Sequence, residues 1–167
     1  MTCLVIVEGL SDMGVVEGIA EKIKCAVKCR RMRGNRPDKA GRIIKAEATG
    51  GKYEKAIVLK DVHRRSEKHL NTTFQEIRHA VGDMINVVCI PVKRAAEAWI
   101  LAGKCVRNAE EIIDPAEYLD RMMWKDGKRY IKSRSLARKL TSEIDLEKAV
   151  KYSPTLRAFY ESLRSDS

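Results

Sequence analysis

Short apolar runs alternate with amphipathic stretches along the first hundred residues. Residues 2–7 are almost continuously apolar, which is typical of a strand covered on both faces. Residues 11–23 instead carry their apolar side chains at helical spacing. The alternation continues with predicted strands at 25–31, 55–60 and 85–90 and predicted helices at 38–49, 66–81 and 94–102. Because strands that alternate with helices pair in parallel, we expect an α/β fold with a four-stranded, mainly parallel sheet flanked by helices.

Proline and glycine mark where these elements end. Pro91 is expected to end the fourth strand, because proline lacks the N–H group that a ladder of strands needs. After Gly103 the strand pattern fades, and short helices are expected at 109–124, 134–142 and 154–164. We therefore predict an α/β core over residues 1–103 and a small helical C-terminal extension over residues 104–167, packed together as one globular unit.

The composition is typical of a soluble cytoplasmic protein. No stretch approaches the roughly 18–20 uncharged apolar residues of a membrane helix, and residues 1–8 lack the basic leader of a signal peptide. The five cysteines are an odd number, which suits a reducing compartment better than a disulfide framework. We therefore expect a cytoplasmic protein without membrane association.

The charge balance predicts a polyanionic partner. The net charge is +10, which favours nucleic acid, DNA or RNA, as that partner. Two tryptophans, five tyrosines and two phenylalanines are too few for recognition dominated by base stacking, so contacts to the phosphate backbone are expected. Trp99 and Trp124 are expected to pack internally. The candidate backbone contacts are Arg30, Arg31, Arg33, Arg64, Arg65, Lys128 and Arg129.

Three acidic residues follow the predicted strands. Glu8 comes directly after the first strand, Asp61 after the third, and Glu97 a few residues beyond the fourth. Ligands of open α/β sheets bind at the carboxyl ends of the strands, and carboxylates gathered there would repel one another unless a cation binds. Such oxygen ligands suit Mg²⁺ or Mn²⁺. The alternative is that these strand ends simply meet water, with Glu97 interacting favourably with a helix dipole.

Several short motifs resemble Toprim domains. Glu8-Gly9 after the first strand, followed by Ser11-Asp12, resembles the Toprim opening, and Asp61-Val62-His63 resembles the Asp-x-Asp signature after the third strand. The segment 90–102 is similar to the Glu-Ala-Trp helix of small stand-alone Toprim-like proteins related to the nucleases of the overcoming-lysogenization-defect type, and residues 144–159 are similar to their C-terminal ending. The resemblance implies a Rossmann-like core.

The resemblance also implies a function and roles for the acids. It implies a divalent-metal-dependent phosphodiester hydrolase in which Glu8 is the general acid/base or a metal ligand. Asp61 and Glu97 would hold Mg²⁺ or Mn²⁺. His63 departs from the signature, because imidazole is a poor partner for Mg²⁺, although it suits Mn²⁺ or Zn²⁺ and could carry a proton.

The departure at His63 keeps a second function open. If His63 merely occupies a loop, the site is weakened and the protein is a nucleic-acid-binding or accessory protein of the same fold. A homodimer or an accessory protein partner is compatible with either function. The remaining alternative is an interaction protein whose basic faces meet an acidic partner.

Overall fold

The centre of the computed structural model, which describes residues 2–32, 36–62 and 67–165, is a sheet of four parallel strands. The strands are β1 (Thr2–Val7), β2 (Val27–Arg31), β3 (Tyr53–Asp61) and β4 (Val87–Val92). Their order across the sheet is β2-β1-β3-β4, so the first and third strands are central and the other two are edges. This Rossmann-like arrangement confirms the predicted α/β class and parallel sheet.

Helices cover both faces of the sheet. They are α1 (Leu10–Lys22), α2 (Pro37–Ala48), α3 (Glu67–Val81), α4 (Glu97–Gly103), α5 (Pro115–Trp124), α6 (Arg134–Ser142), α7 (Leu146–Tyr152) and α8 (Pro154–Arg164), with a 3₁₀ turn at Ala109–Glu111. Side chains alternate between faces along a strand, so Leu4 and Ile6 pack under α2 and α3. Val5 and Val7 pack on the other face, against α1, α4 and the C-terminal helices.

The C-terminal helices share the core of the sheet. Trp99 is fully buried in α4, and its ring stacks on Phe159 of α8 with 5.3 Å between centroids. Its indole N–H donates a 2.9 Å hydrogen bond to Thr155 Oγ1. Helix α6 lies close to α1, since a Cβ atom on Gly18 would come within 2.7 Å of the Thr141 side chain. This packing brings the chain after α5 to the edge of the sheet where β1 and β3 end.

The structure differs from the sequence predictions at β4. Pro91 lies within that strand and pairs with Lys60, whereas the sequence predicts that the strand ends before it. An edge strand forms ladder hydrogen bonds on only one side, so β4 tolerates a proline, which has no N–H group to donate. Helix α4 correspondingly begins at Glu97, three residues later than predicted.

The C-terminal part also differs from the predictions. The single helix expected over 109–124 is a 3₁₀ turn and a separate α5, because Pro115 begins a new helix capped by Asp114. Helix α7 was not predicted, since its seven residues are too short for a clear helical period. The expectation that Trp124 packs internally is wrong: 64% of its surface is exposed. Within the described residues, no helix is long and apolar enough to span a membrane.

Candidate functional site

Four carboxylates line one pocket of about 370 Å³ at the carboxyl edge of the sheet. Glu8 follows β1 and Asp61 ends β3, while Asp12 lies in the first turn of α1 and Glu97 begins α4. The carboxyl ends of parallel strands lie at a common edge of the sheet, and α1 and α4 start from that edge. The three acids that the sequence singles out are therefore brought together, and a fourth joins them.

Glu8 has one carboxylate oxygen without a hydrogen bond. Its Oε2 accepts a 3.4 Å hydrogen bond from the backbone N–H of Asp61. Its Oε1 is buried without a hydrogen-bond partner among the described residues, and lies 3.7 Å from Nζ of the fully buried Lys60. A buried oxygen that accepts no hydrogen bond is costly, so Oε1 is suited to accept a proton or to bind a cation.

Glu97 is held by two hydroxyl groups. It is only 1% exposed, and Ser11 Oγ and Tyr130 OH each donate a 3.2 Å hydrogen bond to its Oε1. Its other oxygen receives neither bond. The helix-dipole explanation of Glu97 is therefore incomplete, because a carboxylate this buried needs hydrogen-bond donors. These donors fix the orientation of the side chain beside the other acids.

Asp12 also lines the pocket, although the sequence predicts no chemical role for it. Its Oδ2 accepts a 2.9 Å hydrogen bond from the backbone N–H of Gly9 and so closes the N-terminus of α1. Burial and, next, the charge of Glu97 raise the pKa of Asp12 to about 7. The sequence could have placed Asp12 in the pocket, because it follows Glu8-Gly9 closely and the first turn of α1 starts from the same edge of the sheet.

Asp61 is the second carboxyl group of the pocket whose pKa is raised. Burial and, next, the charges of Asp12, Glu8 and Glu97 raise its pKa to about 9, while Lys132 acts in the opposite direction. Carboxylates this close cannot all be ionised without compensation. At neutral pH the pocket must therefore either retain protons or bind a cation.

The carboxylate oxygens of the pocket suit a hard divalent cation, although the described residues do not assemble a ligand set in advance. Carboxylate oxygens are the ligands that Mg²⁺ and Mn²⁺ prefer, and Glu8 Oε1, which accepts no hydrogen bond from the described residues, is available as a metal ligand. Over residues 2–32, 36–62 and 67–165, however, no three acidic, histidine or cysteine side chains form a group that could hold a metal ion as they stand. Binding would therefore require side chains to rotate. His63, the remaining predicted ligand, lies outside the described residues.

Two basic side chains line the same pocket. Arg31, the last residue of β2, donates from Nε to the backbone carbonyl of Glu8 at 3.3 Å. Lys132 reaches the pocket from the segment between α5 and α6, and is otherwise exposed. A pocket with acids inside and cations at its wall can hold a phosphate group beside a bound metal ion.

Of the other predicted backbone contacts, the three that the structure describes do not line the pocket. Arg30 points to the opposite face of β2 and its Nε lies 3.5 Å from Oε1 of Glu47. Lys128 and Arg129 are exposed between α5 and α6, and Arg129 is paired with Asp120 at 3.1 Å. Three further arginines lie outside the described residues: Arg33, Arg64 and Arg65.

The places of three further residues at the site are not predicted from the sequence, although Lys132 belongs to a basic stretch, 125–139, that could contact phosphates. The sequence indicates only that Lys60 ends a strand, whereas in the structure its ammonium group is buried beside Glu8. Tyr130 and Lys132 lie in a stretch with neither helical nor strand periodicity, so only the folded chain reveals that they reach the acids.

Comparison with known proteins adds no relative. No protein family and no curated protein matches this chain. The chemical interpretation of the pocket therefore depends on its own residues and on the motifs that they form.

Proposed function

We propose that this protein is a divalent-metal-dependent phosphodiester hydrolase acting on nucleic acid, with a Toprim-like acidic site. One observation carries the proposal: four carboxylates from β1, α1, β3 and α4 converge on a single pocket that also contains Arg31 and Lys132. The strand-end position of Glu8 and Asp61, which the Toprim resemblance singles out, supports the same function. Hydrolysis would add water across one P–O bond, giving a phosphate monoester and a free hydroxyl.

Each acid has a role that its surroundings suit. Glu8, whose Oε1 accepts no hydrogen bond from the residues that the structure describes, would exchange a proton with the attacking water or the leaving oxygen. Asp61 and Glu97, with Asp12 beside them, would hold Mg²⁺ or Mn²⁺. When bound, the ion would neutralise phosphoryl charge and lower the pKa of the attacking water.

The cations account for substrate binding. Arg31 and Lys132 would hold phosphates next to the scissile one, and the net charge of +10 would attract the rest of the strand. Contacts of this kind are insensitive to base sequence and weaken with rising salt.

A catalytically weakened nucleic-acid-binding or accessory protein is the second candidate. It is favoured by the lack of a ready metal-ligand group within the described parts of the chain. His63, which stands where the Toprim signature has an acid, favours it as well. In that protein the same basic surface would bind nucleic acid while the acidic pocket stayed inactive.

A cleavage assay tests the proposal and separates the two candidates. End-labelled DNA and RNA, single-stranded and duplex, are incubated with the protein in Mg²⁺, Mn²⁺ or EDTA. We expect metal-dependent cleavage that falls by about 10²-fold or more in Glu8→Gln and in Asp61→Asn. Glu76→Gln, which changes an exposed acid on α3, should cleave like the unmodified protein. A contaminating nuclease would instead cleave equally in all the variants, including Glu8→Gln and Asp61→Asn.

The remaining outcomes are equally informative. Salt-sensitive binding without cleavage in either metal would favour the second candidate, particularly if His63→Asp created activity. Cleavage that persists in both Glu8→Gln and Asp61→Asn would overturn the proposed site. A protein that neither binds nor cleaves nucleic acid would contradict both candidates.

A further inference from the structure

Helix α5 ends on an exposed tryptophan, and an arginine of the segment between α5 and α6 lies over its ring. Trp124, the last residue of α5, is 64% exposed, whereas Trp99 is fully buried. The guanidinium carbon of Arg129 lies 5.2 Å from the centroid of the Trp124 ring. Asp120 holds that guanidinium through two hydrogen bonds of 3.1 and 3.2 Å. The ring is therefore supported but largely open to solvent, which core packing does not explain.

The same segment leads directly to the acidic pocket. A turn at Gly127, whose φ is 71°, reverses the chain after α5. Tyr130 then donates its backbone N–H to Asp120 and its hydroxyl to Glu97, and Lys132 lines the pocket. Because Lys132 follows Trp124 by eight residues, the two backbone positions are at most about 29 Å apart. At a spacing of about 3.4 Å per nucleotide, a nucleic acid strand of at most about nine nucleotides could span that distance.

Charge around the ring favours an anionic occupant. Lys125, Lys128, Arg129 and Lys132 lie within nine residues of one another with a single acid, Asp126, among them. An aromatic ring surrounded by cations matches a nucleic acid strand, in which phosphates alternate with flat bases. A partner protein would need a matching acidic surface, and the chemistry of the pocket gives no reason to expect such a protein.

We propose that Trp124, backed by Arg129, is a stacking platform for an unpaired base of a strand whose backbone runs to the acidic pocket. This inference rests on the proposed function and narrows its substrate to single strands, frayed ends or flaps. A duplex keeps its bases stacked on each other, so the ring could engage one only after unpairing. One platform is also compatible with the low aromatic content of the chain.

A binding experiment without divalent metal tests the platform separately from catalysis. Fluorescein-labelled oligo(dT) of 16 nucleotides, and its duplex with oligo(dA), are titrated with the protein in EDTA and followed by anisotropy. The variants are Trp124→Ala and Trp124→Phe, with Tyr118→Ala as the matched control, since Tyr118 is a 40% exposed aromatic on the same helix. Thermal unfolding midpoints establish that each variant folds.

We expect Trp124→Ala to weaken binding of the single strand roughly tenfold while binding of the duplex changes less than about twofold. Trp124→Phe should retain most of the affinity, and Tyr118→Ala should match the unmodified protein. The tryptophan fluorescence of the unmodified protein should fall as the single strand binds, and this change reports Trp124 because Trp99 is buried.

Two results would overturn the platform while leaving the proposed function intact. One is single-strand binding that is unchanged in Trp124→Ala; the other is an equal loss for single strand and duplex. Glu8-dependent cleavage would still be measurable in either case. If the unmodified protein bound neither these probes nor oligo(U) of the same length, and its tryptophan fluorescence were unaffected, the platform would fail and a protein partner would become the better explanation of the exposed ring. The proposed function would then be decided by the cleavage assay.

Discussion

The hydroxyl of Tyr130 donates a 3.2 Å hydrogen bond to Oε1 of Glu97 and so connects the chain after α5 to the acidic pocket. Tyr130 is 7% exposed, and burial followed by the charge of Glu97 raises the pKa of its hydroxyl above the ordinary value. The hydroxyl therefore stays protonated and remains a donor throughout the physiological range. The C-terminal helices thus bring a residue that orients one of the acids, in addition to enlarging the core.

Tyr130→Phe tests this orienting role. The substitution keeps the ring and removes one of the two donors to Glu97, so the carboxylate should lose its fixed orientation. We expect Mn²⁺ affinity, measured by calorimetry, to fall about 10-fold or more, with a loss of stability of only about 1 kcal/mol. Tyr118→Phe, at a 40% exposed tyrosine on α5, should change neither. Unaltered Mn²⁺ affinity in Tyr130→Phe would show that this bond does not orient a metal ligand.

The sequence predicts the parts of the site that depend on strand ends. Glu8 and Asp61 follow apolar runs that could only be buried strands, and a parallel sheet brings such ends to one edge. The same reasoning could have predicted Asp12, since it lies in the first turn of the helix that follows β1. These residues are predictable because short-range pattern and sheet geometry together determine where they lie.

Tyr130, Lys132 and Lys60 are not predictable in this way. The first two lie in irregular chain between α5 and α6, and their place beside the acids results from the close packing of α6 on α1. Lys60 differs from an ordinary strand-end lysine only through its complete burial. The exposure of Trp124 likewise depends on how α5 lies on the core, which helical periodicity alone does not settle.

The raised pKa of Asp61 predicts that stability falls as pH rises. The pKa is about 9 in the folded protein against an ordinary 3.8. Below pH 4 both states are protonated, but between about pH 4 and 9 only the unfolded state is ionised, so unfolding releases a proton and is favoured by rising pH. Asp12, with a pKa of about 7, adds the same trend between about pH 4 and 7.

Urea unfolding of the metal-free protein from pH 4 to 9 measures this dependence. Asp61→Asn should flatten it and raise stability at pH 8 by about 1–2 kcal/mol. Saturating Mn²⁺ should restore stability to the unmodified protein at pH 8 and have less effect on Asp61→Asn. A stability that rises with pH in the metal-free protein would contradict the crowding of carboxylates.

Lys60→Met tests the buried partner of Glu8. The ammonium group is fully buried 3.7 Å from Glu8 Oε1. Its removal leaves a carboxylate oxygen that has neither a hydrogen bond within the described parts of the chain nor that neighbouring positive charge. We expect a loss of about 3 kcal/mol in the free energy of unfolding measured with urea at pH 7. Lys68→Met, at an exposed lysine of α3, should cost less than about 0.5 kcal/mol. Equal stability of the two variants would mean that the pair contributes nothing.

Gly18→Ala tests the close contact of α1 with α6. The added Cβ would come within 2.7 Å of Thr141 Cβ and 3.1 Å of the Arg138 carbonyl oxygen, so the helices must separate. We expect a loss of about 1–3 kcal/mol by urea unfolding, although alanine is the better helix former. The control is Gly50→Ala after α2, where the new Cβ would meet its nearest neighbour at 3.4 Å and should change stability little. A stabilised Gly18→Ala would mean that α6 is not held closely against α1.

Neighbouring arginines of β2 allow a matched test of the phosphate contacts. Arg31 lines the acidic pocket, whereas Arg30 is turned to the other face beside Glu47. If nucleic acid lies over the pocket, Arg31→Ala removes one phosphate contact. The slope of log K against log salt should then become shallower by about 1, and affinity should fall to a similar degree for different sequences. Arg30→Ala carries the same charge change and should leave the slope almost unaltered. Equal slopes for the two variants would show that the strand follows general surface charge rather than a path across the pocket, and the pocket acids would then have no phosphate within reach.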